Sequence, residues 1–221
     1  MQNQKFIAIG DIHGCVKSTL ALLEKLQPWN DRTYIFIGDY IDRGPASREV
    51  VDFLIEFNKS YPCVFLRGNH EQMLLDSFSS GDSRLWLYNG GDTTLKSYSS
   101  DGNTLADHQE FYMGTRLYYD TDKYFFVHAG LHPTKTIAES IAQEDSQEEF
   151  LWERSHIKTT KNKWEKTVVF GHTPVPEPIV KPHMMGIDTG CVYTHRQDMG
   201  KLTAVLLPEQ KFIYQECLDD I

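Results

Sequence analysis

Short apolar runs alternate with helical patterns along the first third of the chain. Runs rich in β-branched and aromatic residues, which are typical of buried strands, recur as KFIAI, TYIFI, CVFL, YFFV, TVVF, MGID and LTAVLL. Between the first three runs, apolar residues at helical spacing predict helices over residues 18–26 and 47–58. Strands that alternate with helices in this way are typical of a parallel sheet, so we predict an α/β fold.

The pattern changes between residues 71 and 113. Helical segments there are interrupted by Gly81, by Gly90 and Gly91, and by Gly102, after which strand-like runs return. A chain of 221 residues is long enough to bury one core. We therefore expect a single domain over residues 1–221.

Charge and composition exclude several classes of partner. The net charge of −9 opposes binding to nucleic acid or to an anionic membrane, and no apolar run approaches the roughly 20 residues of a membrane-spanning helix. The start MQNQKFIAIG lacks a basic segment and a long apolar segment, and the four cysteines contain no CxxC pair. We expect a cytoplasmic protein, and a monomer suffices for the site described next.

Residues of metal-binding types directly follow five of the apolar runs. The motifs are, in order, G-D-I-H-G, G-D-Y-I-D-R-G, R-G-N-H-E, H-A-G and G-H-T-P. The candidate ligands in them are Asp11, His13, Asp39, Asn69, His128 and His172. Strand ends in α/β sheets meet at a common edge, where ligands bind. Carboxylate, amide and imidazole ligands without a thiolate suit Mn²⁺, Fe or Zn²⁺ better than Ca²⁺ or a structural zinc site.

Each motif alone has an ordinary structural explanation. The Asp11 and His13 turn, for example, is compatible with a capping aspartate beside a surface histidine. Five such strand ends in one chain are explained more simply by a shared site. Six candidate ligands, one of them a carboxylate able to bridge, match two metal ions, and Asp39 is the predicted bridge.

The same motifs, GDIHG, GDYIDRG, GNHE, HAGL and GHTP in this order, resemble the signature of the PPP family of metallophosphoesterases, which includes the serine/threonine protein phosphatases. The resemblance covers nearly the whole chain. The segments WLYNGGDTTLKSY and GIDTG are similar to segments of small bacterial and phage members. This resemblance implies a calcineurin-like β-sandwich flanked by helices, with a dinuclear metal site at the strand ends.

The resemblance also implies how the ligands divide between the metals. One metal would be held by Asp11, His13 and Asp39, and the other by Asp39, Asn69, His128 and His172. The expected cofactors are two divalent ions, Mn²⁺ first, with Fe or Zn²⁺ as alternatives.

Four further residues receive roles from the same resemblance. Asp42 would pair with His70 and keep its imidazole charged and oriented, so that His70 protonates the leaving group. Arg43 would bind phosphate oxygens. Arg154, in FLWERS, resembles a second phosphate-binding arginine, although a surface arginine facing the acidic segment before it is the alternative.

With these roles, the resemblance implies a phosphoester hydrolase in which a metal-bridging hydroxide attacks phosphorus in line. The leading interpretation is a serine/threonine protein phosphatase, acting on a phosphoprotein or a small phosphoester. The alternative is a symmetrical diadenosine tetraphosphate hydrolase, in which the second motif resembles GDLVARG and lacks the acid of Asp42. Because an alkoxide needs a proton and a nucleotide does not, Asp42 favours monoesters. A catalytically inactive metal-bound module would predict a missing ligand, and none is missing.

The remaining cysteines and histidines carry weaker signals. Cys15 lacks the CX5R pattern of cysteine phosphatases, so we interpret it as a small packing residue. His132 follows HAGL closely enough to line the mouth of the site. The histidines without a motif, which we interpret as surface or structural, are His108, His156, His183 and His195. After GIDTG the chain departs from the family pattern with CVYTHRQDMGKL, which leaves substrate contacts there open.

Overall fold

The structure, a computed structural model, describes residues 4–99 and 104–221. The predicted interruption at Gly102 lies outside these residues. The described strands are β1 (Phe6–Ile9), β2 (Thr33–Phe36), β3 (Cys63–Phe65), β4 (Tyr118–Asp120), β5 (Tyr124–Val127), β6 (Thr167–Phe170), β7 (Ile179–Lys181), β8 (Met184–Gly186), β9 (Lys201–Leu207) and β10 (Lys211–Glu216). The α-helices are α1 (Val16–Leu26), α2 (Ser47–Ser60), α3 (Asn69–Ser80), α4 (Arg84–Trp86), α5 (Asp92–Ser99), α6 (Gln109–Gly114), α7 (Ile137–Ala142) and α8 (Ser146–Trp152).

The strands form two five-stranded sheets. The first has the order β10-β9-β1-β2-β3, and the second has the order β4-β5-β6-β8-β7. In the first sheet β1, β2 and β3 are parallel and are joined through α1 and α2, as the alternation of strands and helices predicts. In the second sheet β5, β6 and β8 are parallel. Antiparallel strands complete both sheets at their edges.

The sheets pack face to face with helices on both outer sides. In β1, Phe6 and Ala8 belong to the apolar layer between the sheets, whereas Ile7 and Ile9 pack on the opposite face with residues of α1 and α2. Successive side chains of a strand point to opposite faces, so a strand buried on both sides must be apolar throughout. A third apolar cluster, which includes Phe150, joins the outer face of the second sheet to α7 and α8. The predicted β-sandwich flanked by helices is confirmed.

The start of α1 depends on the other end of the chain. The helix begins at Val16, two residues before the predicted start, because Asp219 accepts hydrogen bonds from the backbone N–H groups of Lys17 and Ser18 at 2.9 and 3.0 Å. These groups have no partner within the helix, so a carboxylate from elsewhere stabilises the first turn. No helix among the described residues is long and apolar enough to span a membrane.

The predicted glycine interruptions in the middle segment have clear structural reasons. Gly81 ends α3 in the left-handed region, with φ of 73°. Gly90, with φ of 104°, kinks the chain between α4 and α5. At Gly91 a Cβ atom would come within 2.5 Å of the Trp86 ring, so only glycine lets that indole lie against the backbone.

His156 is a buried structural histidine, as the absence of a motif around it predicted. Its ring packs edge-on against Phe170, with the ring centroids 4.5 Å apart, and covers Gly130. Neither of its ring nitrogens has a hydrogen-bond partner among the described residues. Burial lowers the pKa of His156 from 6.5 to about 4.

This buried imidazole should make folding stability depend on pH. Between pH 6.5 and 4 the unfolded chain binds a proton that the folded chain rejects, so stability falls as the pH falls through this window. We expect His156 to contribute about 2 kcal/mol to the loss of unfolding free energy between pH 7.5 and 4.5. In urea titrations, His156→Phe should lose less stability than the wild type over this range, by that amount. Replacement of the exposed His183 by Phe is the matched control, and equal pH dependence of the wild type and His156→Phe would contradict the prediction.

Candidate metal centre

Five parallel strands deliver the predicted ligands to one end of the sandwich. Asp11, Asp39 and Asn69 follow β1, β2 and β3 of the first sheet, and His128 and His172 follow β5 and β6 of the second. All of them, and His13, are buried. The carboxyl ends of the strands in both sheets therefore meet, as the five motifs predicted.

Asp39 is hydrogen-bonded to two other motif loops at once. Its backbone carbonyl accepts from the N–H groups of Ile12 and His13 at 3.1 and 2.8 Å, which ties it to the first motif. Its carboxylate Oδ1 accepts from the N–H of His70 at 3.1 Å, and its own N–H donates to Glu71 at 2.9 Å. The position of this carboxylate is thus fixed by backbone groups from two other motifs.

Glu71 is a functional residue that the sequence analysis did not single out, although it is the last letter of GNHE. Its carboxylate accepts the N–H groups of Gly68, Asp39 and Tyr40, each at 2.9 Å. Burial and the charge of Asp39 raise the pKa of Glu71 to about 8, against the effect of these three donors. Glu71 holds the second and third motifs together from beneath the site.

Two glycines allow these loops to approach each other. A Cβ atom on Gly68 would lie 2.1 Å from Oδ1 of Asp39, and one on Gly38 would lie 2.6 Å from the backbone nitrogen of Gly68. Gly38 also adopts φ of 110°. Any other residue at either position would push the strand ends apart.

His13 and His70 form one group with Asp39. Nε2 of His13 lies 3.5 Å from Oδ2 of Asp39, and Nε2 of His70 lies 4.0 Å from the same oxygen. Nδ1 of His13 donates to the carbonyl of Ile41 at 2.9 Å, so in the neutral ring Nε2 carries a lone pair. Burial, and then the charge of Arg43, hold the pKa of His13 well below its usual value.

His128 and His172 form a second group with Asp39. Nδ1 of His128 donates to the carbonyl of Ile37 at 3.0 Å, so its Nε2 carries a lone pair. That Nε2 lies 3.0 Å from Oδ1 of Asn69, 3.1 Å from Nδ1 of His172 and 3.5 Å from Oδ1 of Asp39. Burial lowers the pKa of His128, and burial together with His128 lowers the pKa of His172 to about 2.

Asp11 is placed differently from the other predicted ligands. Both of its carboxylate oxygens accept the backbone N–H of His172, at 3.1 and 3.0 Å, and it joins neither histidine group. Burial, and then the charges of Asp188 and Asp39, hold its pKa well above the usual value. Burial likewise raises the pKa of Asp188 to about 7, and the charge of Asp39 adds to this. Asp188, which the sequence analysis did not name, is the aspartate of GIDTG.

His70 and Asp42 lie together as the sequence analysis expected. Nδ1 of His70 is 2.7 Å from Oδ2 of Asp42, and both side chains are fully buried. The other hydrogen bonds to the carboxylate of Asp42 come from the middle helices. Trp86 Nε1 donates to both carboxylate oxygens at 3.0 Å, and the Thr94 hydroxyl donates to Oδ1 at 2.6 Å. Trp86 and Thr94 both lie in the segment WLYNGGDTTLKSY, which the sequence marked as family-like but whose contacts only the structure reveals.

Backbone strain is concentrated at this centre. Eight non-glycine residues in the described ranges have positive φ, and five of them are His13, Asp39, Asp42, Arg43 and His172. The left-handed region costs an L-residue roughly 1–2 kcal/mol, so the surrounding hydrogen bonds must hold each residue there. These turns aim side chains inward immediately after a strand ends.

A cavity of about 330 Å³ opens beside the second group. Asp39, Asn69 and His172 line its floor. Its walls carry three arginines and two aromatic rings, which are Arg43, Arg154, Arg196, Trp152 and Tyr193.

The three arginines are held in different ways. Arg43 donates from Nη1 to Nε2 of His13 at 2.6 Å, and its guanidinium carbon lies 5.6 Å from the centroid of the Tyr193 ring. Arg196 lies over the same ring at 4.4 Å. Arg154 donates to the hydroxyl of Thr173 at 3.2 Å and lines the cavity. It is therefore not simply a surface arginine that faces the acidic segment before it. The segment after GIDTG, whose substrate contacts could not be predicted from the sequence, thus supplies Tyr193 and Arg196 to the cavity.

The donor set fits divalent cations. Lone pairs of neutral imidazoles face carboxylate and amide oxygens at about hydrogen-bond distance, yet neither side of the His128–Asn69 contact has a proton to donate. Nε2 of His70 and Nε2 of His172 are buried and have no hydrogen-bond partner among the described residues. Buried acceptors that face each other in this way are stabilised by a cation.

Comparison with known proteins agrees with this geometry. A family model described as calcineurin-like phosphoesterase matches residues 4–203. The bis(5'-nucleosyl)-tetraphosphatase PrpE [asymmetrical] of Oceanobacillus iheyensis is 31% identical, over 95% of this chain and 91% of the relative. The protein of the same name from Halalkalibacterium halodurans is 29% identical, over 95% and 92%.

Two solved structures show the same fold. A candidate diadenosine tetraphosphatase superposes with a TM-score of 0.71 at 23% identity and covers 99% of this chain and 96% of its own. A serine/threonine phosphatase from Saccharomyces cerevisiae superposes with a TM-score of 0.65 at 17% identity and covers 99% and 82%. On its sequence motifs, its fold and these matches, this chain belongs to the calcineurin-like phosphoesterases, enzymes that hydrolyse phosphoesters.

Proposed function

We propose that this protein is a two-metal hydrolase of dinucleoside polyphosphates, with diadenosine tetraphosphate as the substrate to test first. The observation that carries the proposal is the cavity beside Asp39, in which three arginines and two aromatic rings surround a candidate metal group. A phosphate monoester offers one anionic group to such walls. A chain of phosphates offers several, together with bases that stack on aromatic rings.

The residues that would hold the metals follow from the two groups. Asp39 is shared between them, with His13 on one side and Asn69, His128 and His172 on the other. Asp11 and His70 border the centre. Bound divalent ions would lower the pKa of a water molecule and offset the negative charge of the phosphate oxygens. Nitrogen and oxygen ligands without sulfur make Mn²⁺ the first ion to test.

The protein's own side chains would bind the phosphate chain through hydrogen bonds. Arg154 and Arg196 reach the cavity from exposed positions, and each can donate two hydrogen bonds to phosphate oxygens. Arg43 donates to Nε2 of His13, the same lone pair that a metal would use, so this bond and a metal at His13 exclude each other. Tyr193 stacks with two guanidinium groups and keeps them at the cavity wall.

The relatives support a nucleotide substrate over a phosphoprotein. The curated relatives at 29–31% identity are named as asymmetrical tetraphosphatases, whereas the alternative in the sequence analysis was the symmetrical type. The protein phosphatases among the solved structures, such as the yeast enzyme at 17% identity, are similar in fold alone.

A second candidate function, hydrolysis of phosphoserine and phosphothreonine esters, is favoured by one specific observation. The buried His70–Asp42 pair, held by Trp86 and Thr94, is an acid positioned to protonate a poor leaving group. An alkoxide needs this proton, and a nucleotide leaving group departs without it.

The two candidates separate in a direct comparison of substrates. With Mn²⁺ present, we expect kcat/KM for diadenosine tetraphosphate to exceed that for a phosphoserine peptide. Arg196→Met should raise KM for the dinucleotide by about tenfold, because the charge-assisted hydrogen bonds of Arg196 to phosphate are lost. It should change KM for p-nitrophenyl phosphate much less. Arg84→Met, which removes an exposed arginine outside the cavity, is the matched control.

The products add a second test. Asymmetrical cleavage releases ATP and AMP, and symmetrical cleavage releases two molecules of ADP, which chromatography of the nucleotides distinguishes. A higher kcat/KM for the phosphopeptide, with no effect of Arg196→Met on the dinucleotide, would reject the proposal in favour of the second candidate.

The metal dependence is tested by chelation and by metal content. Treatment with a chelator should abolish hydrolysis, and Mn²⁺ should restore it. Asp39→Asn should lower the amount of bound metal more than Asn69→Ala, because the shared carboxylate faces both groups. Mass spectrometry of metals bound per chain measures this difference. Equal metal content in the two variants would remove Asp39 as the bridge.

The role of His70 is tested through the leaving group. If His70 donates the proton, His70→Asn and Asp42→Asn should lower kcat for phosphoserine by about 10² to 10⁴ and should affect p-nitrophenyl phosphate less. The two substitutions should be non-additive in the double variant, because Asp42 acts through His70. Since Nε2 of His70 also faces Asp39, the competing role is that of a metal ligand. An equal loss on both esters together with a loss of bound metal would assign that role.

A further inference from the structure

Three of the four cysteines lie together outside the metal centre. The Sγ atoms of Cys15, Cys191 and Cys217 are all within 4.8 Å of one another, although these residues are far apart in the sequence. Cys63 lies apart from them, in β3 of the first sheet, where its thiol contacts the carbonyl of Tyr61. No CxxC spacing signals this group, so only the tertiary structure brings the three thiols together.

Each of the three cysteines directly precedes or follows a segment described above. Cys15 directly precedes α1, and its thiol donates to the carbonyl of His13 at 3.5 Å. Cys191 directly follows the GIDTG segment that carries Asp188. Cys217 directly follows β10, and its N–H donates to the carbonyl of Gly200 at 2.7 Å. The group therefore lies where the first motif, the GIDTG segment and the C-terminal segment meet.

The spacing of the sulfur atoms is close to that of a metal site. Zinc–sulfur bonds of about 2.3 Å in a tetrahedral site put neighbouring sulfurs roughly 3.8 Å apart. Sulfurs already within 4.8 Å need to move inward by about 1 Å or less to reach that spacing. Cys15 and Cys191 are buried and Cys217 is half-buried, so an ion and its fourth ligand, a water molecule, can enter from the side of Cys217.

We propose that Cys15, Cys191 and Cys217 form a second metal site, which binds one thiophilic divalent cation such as Zn²⁺ or Cd²⁺. The ligands are three thiolates, in contrast to the nitrogen and oxygen ligands around Asp39, so the two sites select different metals. Binding releases thiol protons to solvent and needs no redox reaction. The cytoplasmic location expected from the sequence would keep these thiols reduced.

The site would fasten the C-terminal segment to the loop of the first motif. Asp219 already bonds the N–H groups of Lys17 and Ser18, and the Ser18 hydroxyl donates to the same carboxylate at 2.6 Å. A metal held by Cys15 and Cys217 adds a cross-link at the same junction, two residues from His13. Since such a cation binds the folded chain and not the separated segments, it should raise the unfolding temperature.

The experiment uses the full chain, reduced, freed of other metals and saturated with Mn²⁺, and titrates it with Cd²⁺. Sulfur-to-cadmium charge-transfer absorption in the ultraviolet reports thiolate binding only, because none of the residues placed at the Asp39 centre contains sulfur. We expect the absorption to saturate at one Cd²⁺ per chain. Cys217→Ser and Cys191→Ser should lose most of it, and Cys63→Ser, the matched control, should keep it. Cd²⁺ should also raise the unfolding temperature of Cys63→Ser more than that of Cys217→Ser.

Cys217→Ser changes a half-buried residue after the last strand, so it keeps the test valid if replacement of the buried Cys15 prevents folding. Absence of the absorption in the wild type would overturn the proposal, as would its persistence in Cys217→Ser or its loss in Cys63→Ser. A disulfide among the three cysteines in protein purified without reductant, detected by peptide mass mapping, would also overturn it in favour of a redox pair. None of these outcomes depends on which phosphoester the enzyme cleaves.

Discussion

The position of one carboxylate, Asp39, organises the functional end of this molecule. Its carbonyl accepts from the first motif, its side chain accepts from the third, and its N–H reaches Glu71. It holds this position with φ of 53°, and the hydrogen bonds offset the strain. Because both histidine groups are built around this one side chain, any displacement of the loop after β2 would disturb both candidate metal positions together.

The electrostatics of the centre follow from burial. Asp11, Asp188 and Glu71 lie in one buried region around Asp39, and burial together with the charge of Asp39 raises the pKa of all three. Charged imidazoles would lower the pKa of Asp39, but burial lowers the pKa of His13, His128 and His172 themselves and so reduces this compensation. A site that combines neutral imidazoles with several acids is stabilised by cations, which explains why a fold would place so many costly groups together.

Chemistry and specificity come from different parts of the chain. The two sheets position the candidate ligands. The middle helices hold the His70–Asp42 pair in place, because Trp86 and Thr94 donate hydrogen bonds to Asp42. The cavity walls come from exposed segments through Arg154 and Arg196. The strands that lead to the candidate ligands are fixed by sheet pairing, and loops can change without disturbing the core.

The sequence by itself determined the framework, because its signals are local. Apolar runs buried on both faces predicted β1, β2 and β3, and the residues after them predicted the ligands. Contacts between distant segments were decided only by the tertiary structure. The cap that Asp219 gives to α1, the placement of Asp11 against the N–H of His172, and the meeting of Cys15 with Cys191 and Cys217 join residues separated by more than 150 positions. No periodicity or spacing encodes such pairs, since they arise from the way the two sheets bring their strand ends and the C-terminal segment together.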